Sequence, residues 1–365
     1  MNSRGHILVI NPGSTSTKLA IYTFELALRS MKLKQQTSID HTSDDSIKDV
    51  SISDQFQPRL EAVELFLETE KIVPQLIMAR GAPLEPIEGG VYAVNKIMLD
   101  EIVSGQHASH ASNLAAMIGN KIANDLGIPV YIADPITTDE FEPLARISGV
   151  PGIVRKSRSH TLNIKASTRI ICRRQNIDFS QSNWVVSHMG GGISVAAVRH
   201  GQIIDVNDAL LGMGPFGPER AGALPIAGLL DLVYDKHYQR DALEVLLSSN
   251  SGLQGYLGSS DLRIIEERIA GGDEEADLIY SAMVYQISKE ISAMASVLSF
   301  QLEGIVLTGG MAHSSRLCES ISARIKTLAP VFIQAGENEL QALADAGFRV
   351  LLGEAPLKVY NPGNL

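Results

Sequence analysis

Two rhythms of apolar and polar residues alternate along the first 150 positions of the chain. The runs "ILVI" (7–10) and "LAIY" (19–22) are short and fully apolar, which suits buried strands. "RLEAVELFLETE" (59–70) has helical spacing, "QLIMARG" (75–81) is strand-like, "ASNLAAMIGNKIANDLG" (111–127) is helical and "PVYIAD" (129–134) is again strand-like. This alternation predicts an α/β architecture. From Asp134 to Pro151 the period is lost in "DPITTDEFEPLARISGVP", a Pro- and Thr-rich stretch that reads as an interdomain crossing.

The second half starts with a helical segment, "HTLNIKASTRIICRRQ" (160–175). Then "WVVSHMGGGISVAAVRHGQIIDV" (184–206) gives three strand-like runs, broken by a glycine triplet and by Arg199-His200-Gly201, which predicts a meander. Each half thus holds an apolar run, a tip of small residues and another apolar run, the pattern of a duplicated domain. Over 273–303, Leu278, Ala282, Tyr285, Ile287, Ile291, Met294, Val297 and Leu298 recur at helical spacing, as in a helix facing a core or a dimer interface. "GIVLTGG" (304–310) reads as a strand entering a helix that begins near Ser314 and Ser315, and "ENELQALADAGFRVL" (337–351) as a helix and a strand.

Composition narrows the picture. With 45% apolar and 20% charged residues in 365, the chain can build large cores and is no disordered polymer. A formal net charge of -10 argues against a surface that tracks nucleic-acid phosphates, so any anionic ligand needs a local site. The N-terminal stretch lacks the charged-then-apolar pattern of a secretion signal, and no apolar run has the length of a membrane span; a cytoplasmic protein is expected. Cys172 and Cys318 fit no metal or redox spacing and read as buried thiols.

Three tips carry candidate chemistry. In "NPGSTSTK" (11–18), Gly13 permits close approach, Ser14 and Ser16 offer hydroxyls, and Lys18 supplies charge: either a phosphate cradle or a decorated turn. It is not a Walker A loop, which needs Gly directly before Lys and opens a helix rather than a strand. In "SHMGGGIS" (187–194), Gly190, Gly191 and Gly192 interrupt a strand, as where a ligand approaches the main chain or where a hairpin turns. In "TGGMAHSS" (308–315), Gly309, Gly310 and Met311 lie at a strand-to-helix junction whose amides suit an anion or simply cap a helix.

Together with "ARGAPLEPIEGGVY", "DPITTDEFEPLARISG", "SSDLRIIE" and the long stretch from Ser187 to Pro225, these tips resemble the acetokinase family of the sugar-kinase/Hsp70/actin superfamily over essentially the whole chain. The resemblance implies a duplicated RNase H-like (actin-like ATPase) two-domain α/β fold. It also implies ATP/ADP, Mg²⁺, and transfer of the γ-phosphoryl group to a short-chain carboxylate. The expected domains are 1–150 with 341–365, and 151–340, the latter carrying nucleotide contacts and a homodimer interface.

The reaction itself fits such a site. A carboxylate is ionised at neutral pH and needs no general base, so positioning and charge neutralisation must do the catalysis. By resemblance, Asn11 and Glu339 approach the metal, with Glu337 a competitor for the latter role. Lys18 meets the ATP phosphates, Arg80 the substrate carboxylate and Arg220 the migrating phosphoryl group. His160 matches a transition-state histidine and His188 an ATP-contacting one. Asp134 matches an active-site aspartate, better suited to orienting an arginine or a metal-bound water than to moving a proton. Asp261 and Arg263 match contacts on the adenosine side, although Asp261 also reads as a helix cap. Ser159 stands where acetate kinases carry a bulky aromatic, which favours an acid longer than acetate, such as butanoate or isobutanoate. An acetate or propionate kinase, and an ATP-gated switch with no small-molecule acceptor, are the competing readings. Closure about the crossing segment, excluding water from ATP, is a further expectation.

Overall fold

The computed structural model describes residues 3–42, 50–107 and 110–363. The chain divides into two compact units, Met1–Thr138 with Asn338–Leu365, and Asp139–Glu337.

The first unit is built on a seven-stranded sheet in the order β12-β5-β6-β4-β1-β2-β3. The strands are β1 (Arg4–Pro12), β2 (Ser16–Glu25), β3 (Ser30–Asp40), β4 (Leu76–Arg80), β5 (Val91–Ala93), β6 (Val130–Ala133) and β12 (Leu357–Val359). Helices α1 (Phe56–Glu70), α2 (Lys96–Ser104), α3 (Asn113–Leu126) and α12 (Glu339–Leu351) accompany it. Ile7, Leu8, Val9 and Ile10 have no exposed surface, because β1 lies mid-sheet with both faces covered. β1, β2 and β3 form an antiparallel meander, and β4 and β6 add in parallel beyond β1. β3 was invisible to the apolar pattern: it sits at the sheet edge, mostly solvent-facing, and is held by main-chain pairing to β2.

The second unit contains a five-stranded sheet in the order β11-β10-β7-β8-β9. Its strands are β7 (Asn183–Met189), β8 (Ile193–Arg199), β9 (Gln202–Val206), β10 (Gly304–Gly309) and β11 (Val331–Ala335). β7, β8 and β9 form an antiparallel meander, and β10 and β11 add in parallel beyond β7. The arrangement around β1 is thus repeated around β7, the duplicated RNase H-like topology. The helices are α4 (Pro143–Arg146), α5 (Thr161–Gln175), α6 (Ile226–Tyr234), α7 (Arg240–Ser249), α8 (Gly252–Leu257), α9 (Leu262–Ala270), α10 (Glu274–Val297) and α11 (Ser315–Ile325).

Residues 139–146 pack with this second unit for a physical reason. Phe141 and Ala145 are buried in a core with Trp184 and Val186, and the buried Glu140 carboxylate meets the Lys165 ammonium at 2.6 Å. α10 is shorter than the apolar pattern predicts. Asp273 caps its start through the Ala276 amide, and left-handed Ser299 and Phe300 follow its end. Ile287, Ile291 and Met294 are buried, whereas Leu278 and Tyr285 are exposed. After β10, a 3₁₀ turn over Gly310–His313 intervenes before Ser314 caps α11, so the strand does not run straight into the helix. The segment 337–351 holds helix α12, and the strand that follows starts only at Leu357.

Candidate active site

In the first unit the parallel strands β1, β4 and β6 end at one edge. Ile10 is level with Ala79, and Arg80 with Ala133, so Asn11, Arg80 and Asp134 fall at the same end of these three strands. Glu339, the first residue of α12, joins them, its carboxylate favoured by the positive end of the helix. Glu339 Oε2 accepts a hydrogen bond from Asn11 Nδ2 at 2.8 Å, and Oε1 pairs with the Arg80 guanidinium. Asn11 Oδ1 and the remaining Arg80 donors are left for other partners. Asp134 is buried and left-handed, at φ 40°; its Oδ1 accepts from the Gly90 amide at 2.8 Å. A Cβ on Gly81 would fall 2.7 Å from that of Pro135, so only glycine fits directly after Arg80. His110 lies within electrostatic reach of Arg80; burial, then that positive charge, lowers its pKa.

At the β1–β2 tip, Asn11 is paired with Lys18 and Pro12 with Thr17, so the hairpin ladder reaches the turn. The Gly13 amide closes it on the Ser16 carbonyl at 2.7 Å. Ser14 and Lys18 are exposed, Ser16 is half-buried, and Thr17 is buried.

The second unit assembles its own cluster at the β7–β8 tip. The His160 and His188 rings stack with centroids 3.8 Å apart and planes within 9°. His160 stands at the start of α5, its Nδ1 2.9 Å from Ser194 Oγ. Asn163 Nδ2 lies 2.8 Å from His188 Nδ1, so Nδ1 accepts and the ring proton is left on Nε2. That buried Nε2 is 3.2 Å from Glu337 Oε1, at an angle that makes no hydrogen bond.

The glycine triplet makes room for charged groups. A Cβ on Gly190 would lie 3.2 Å from Glu337 Oε1, one on Gly191 3.3 Å from Glu219 Oε2, and one on Gly192 would overlap the Arg220 guanidinium. Arg220 donates to the Ala209 carbonyl, while its buried Nε has no hydrogen-bond partner among the described residues. Burial lowers the Arg220 pKa, offset in part by Glu219 and Asp208. A buried donor on a cation is suited to binding an anion.

The other residues singled out from sequence are distributed around the second unit. Gly309, at φ 89°, presses against the Met189 main chain; Gly310 has open space around it; Met311 is buried. Asp261 caps α9 by accepting from the Arg263 amide and pairs with the Arg263 side chain, which holds its carboxyl down to about 2. The polar contacts of these two are to each other and their sequence neighbours rather than to the triplet.

Comparison with known proteins decides the family. The model of the acetokinase family matches residues 153–351, and "Probable butyrate kinase 2" of Caldanaerobacter subterraneus subsp. tengcongensis is 43% identical over 97% of this chain and 99% of its own. The chain belongs to the acetokinase family. A second relative, "Probable butyrate kinase" of Clostridium botulinum, is 39% identical over 97% of this chain and 99% of its own. Among solved structures, acetate kinase from Entamoeba histolytica has the same fold, with a TM-score of 0.76 at 16% identity over 95% of this chain and all of the other.

Several members of these clusters in this acetokinase-family chain escaped the reading of the sequence. Glu219 beside Arg220, and Asn163 inside a helix, carry no signal of their own in the sequence. Arg59, whose side chain lies under the first tip, had a usable signal: it stands four residues before Val63 on the apolar face of α1. An arginine on a core-facing stripe asks for buried acceptors.

Proposed function

We propose that this chain transfers the γ-phosphoryl group of ATP to a short-chain carboxylate, with butanoate or isobutanoate preferred. The observation that carries the reading is Arg220, a partly buried guanidinium whose buried Nε has no hydrogen-bond partner among the described residues, beside a bare glycine tip. A carboxylate oxygen attacks the γ-phosphorus, an acyl–O–P bond forms, and the bond to the ADP oxygen breaks. No proton moves, so the residues only bind, orient and neutralise.

Arg80 binds the substrate carboxylate with the donors that Glu339 leaves free. Lys18, Ser14 and Ser16 meet the ATP phosphates, as do His188 Nε2 and the Gly190–Gly192 main chain. Arg220 and His160 stabilise the migrating group. Asp261, Arg263, Gly309, Gly310 and Met311 serve the adenosine side, and Asp134 shapes the strand edge by holding Gly90. Mg²⁺ accompanying the nucleotide would neutralise its β- and γ-phosphates. Glu339 and Asn11 Oδ1 are oxygen donors of the kind it takes, one carboxylate with phosphate and water being a usual set. Glu337 approaches His188 instead, which supports Glu339 for the metal.

The preference for a longer acid rests on the names of the two butyrate kinase relatives and on the small Ser159, which is buried against Thr161 Oγ1 at 3.0 Å. Each additional buried CH₂ contributes about 0.8 kcal/mol, roughly fourfold, so the preference is graded. Trapping the acyl phosphate with hydroxylamine while comparing kcat/KM for acetate, propionate, butanoate and isobutanoate tests this. A preference for acetate overturns the longer acid, and ATP turnover indifferent to every acid overturns the kinase in favour of a nucleotide switch.

The working form is a cytoplasmic homodimer joined through the second unit. Helix α6 supports it: "IAGLLDLVY" has no buried residue, and Ile226 and Tyr234 are 75% and 70% exposed. A monomer mass by light scattering at micromolar concentration removes it. For a reducing compartment, the support is two free buried thiols, Cys318 being pushed up to about 11 by burial. No helix among the described residues is long and apolar enough to cross a membrane.

A further inference from the structure

Under the β1–β2 tip lies a cation that the reaction scheme above does not use. Arg59, near the start of α1, has no exposed surface. Its Nη1 donates to the Ser16 carbonyl at 3.2 Å and to Thr17 Oγ1 at 2.9 Å. Nη2 donates to the Ser14 carbonyl at 3.3 Å, and Nε and Nη2 share Gln55 Oε1 at 3.1 and 2.9 Å. Thr17 Oγ1 is in turn 2.8 Å from the ring of the buried His41. Among the described residues no carboxylate pairs with Arg59. Fully buried arginines are ordinarily matched by an anion, because an unpaired buried charge is costly. Every acceptor here is neutral, and three of the four belong to the tip.

A strand tip that receives polyphosphate must turn its carbonyl oxygens away from the ligand. The guanidinium does this for Ser14 and Ser16 by bonding their carbonyls from the protein side. Because C=O and N–H of one trans peptide unit point in opposite directions, binding the Ser14 carbonyl turns the Thr15 amide away from Arg59. We propose that Arg59 is a positioning residue for the nucleotide: it sets the carbonyls of the tip inward, and its uncompensated positive charge is balanced when phosphate binds on the other side. The inference rests on the kinase reading above and assigns the first tip a built-in electrostatic support that Lys18, exposed on the surface, cannot give.

The test uses the full chain as wild type, Arg59→Lys, Arg59→Met and Thr17→Val, with ATP affinity measured by calorimetry, KM for ATP and for carboxylate, and thermal melting. Arg59→Lys keeps the charge but cannot span both carbonyls. It should weaken ATP binding about tenfold, with the carboxylate KM at saturating ATP unchanged, and Arg59→Met should weaken it further. Thr17→Val, which leaves Arg59 in place, should raise the ATP KM about threefold. A folded Arg59→Lys with wild-type ATP affinity overturns the proposal, as does a lowered melting temperature with ATP affinity unchanged. Should neither Arg59 variant fold, wild-type ATP binding by Thr17→Val overturns it. Wild type that fails to bind ATP brings down the kinase reading itself, an outcome seen without any variant.

Discussion

The two units repeat one strand order and make their tips in opposite ways. In the first, the tip is clothed: hydroxyls and a lysine line it, Gly13 has only the Ser16 carbonyl 3.6 Å from where a Cβ would stand, and the supporting charge is buried behind. In the second, the tip is bare: three glycines, with Glu337, Glu219 and Arg220 leaning onto the main chain itself. The same topology can therefore face an anion with side chains or with backbone, and the choice is made by where the charge sits. The helices that stand at matching places, α1 before β4 and α10 before β10, differ likewise. α1 buries Arg59, whereas α10 carries Glu290, whose carboxyl is raised by burial and then by Asp205.

The sharpest way to break the comparison is at the charge on the bare tip. Arg220→Lys should lower kcat by about 10²–10³ while leaving the melting temperature close to wild type, since one preorganised transition-state donor is worth that much. A variant within threefold of wild type would remove Arg220 from the chemistry. Next comes the backbone. Gly192→Ala must displace the guanidinium and should destabilise the chain by about 1–3 kcal/mol in urea titration as well as slowing turnover. Gly13→Ala, where a Cβ makes only an ordinary contact, should leave the urea midpoint unchanged, so any loss of activity there reports ligand approach alone; equal midpoints for both variants would erase the distinction between tips.

The smallest effect concerns Glu290. Its folded-state pKa is above the ordinary 4.5, so the folded chain holds the proton more tightly than the unfolded one. Its favourable contribution is complete below pH 4.5 and is lost as pH rises through the folded pKa. Glu290→Gln should therefore raise the melting temperature at pH 8 and change it little at pH 4.5. A gain equal at both pH values would show that Glu290 does not titrate differently in the folded chain.

How much of this could be read beforehand depended on whether hydrophobicity encoded it. β1, β4, β6, β7 and β8 are buried on both faces and announce themselves as apolar runs, and with them came Arg80 at a strand end and the triplet between two strands. β3 is mostly polar because main-chain pairing and not burial holds it. Helix α6 is the reverse, apolar yet exposed in the single chain. Glu337 and Glu339, two positions apart, could not be told apart by spacing; the chain passes between its two units at Glu337 and Asn338. Arg59 was hidden because a lone arginine in a helix is ordinarily a surface residue.

Trp184 is the only tryptophan in the chain, and it is fully buried in β7, its indole N–H bonded to Ser182 Oγ at 2.8 Å and its ring 5.9 Å from that of Phe332. The intrinsic indole emission is therefore a spectroscopic label that nature has placed in one unit and left out of the other. Fluorescence follows the second core alone while circular dichroism follows both, so comparing the two signals during denaturation measures the cooperativity of the duplicated fold without adding a dye.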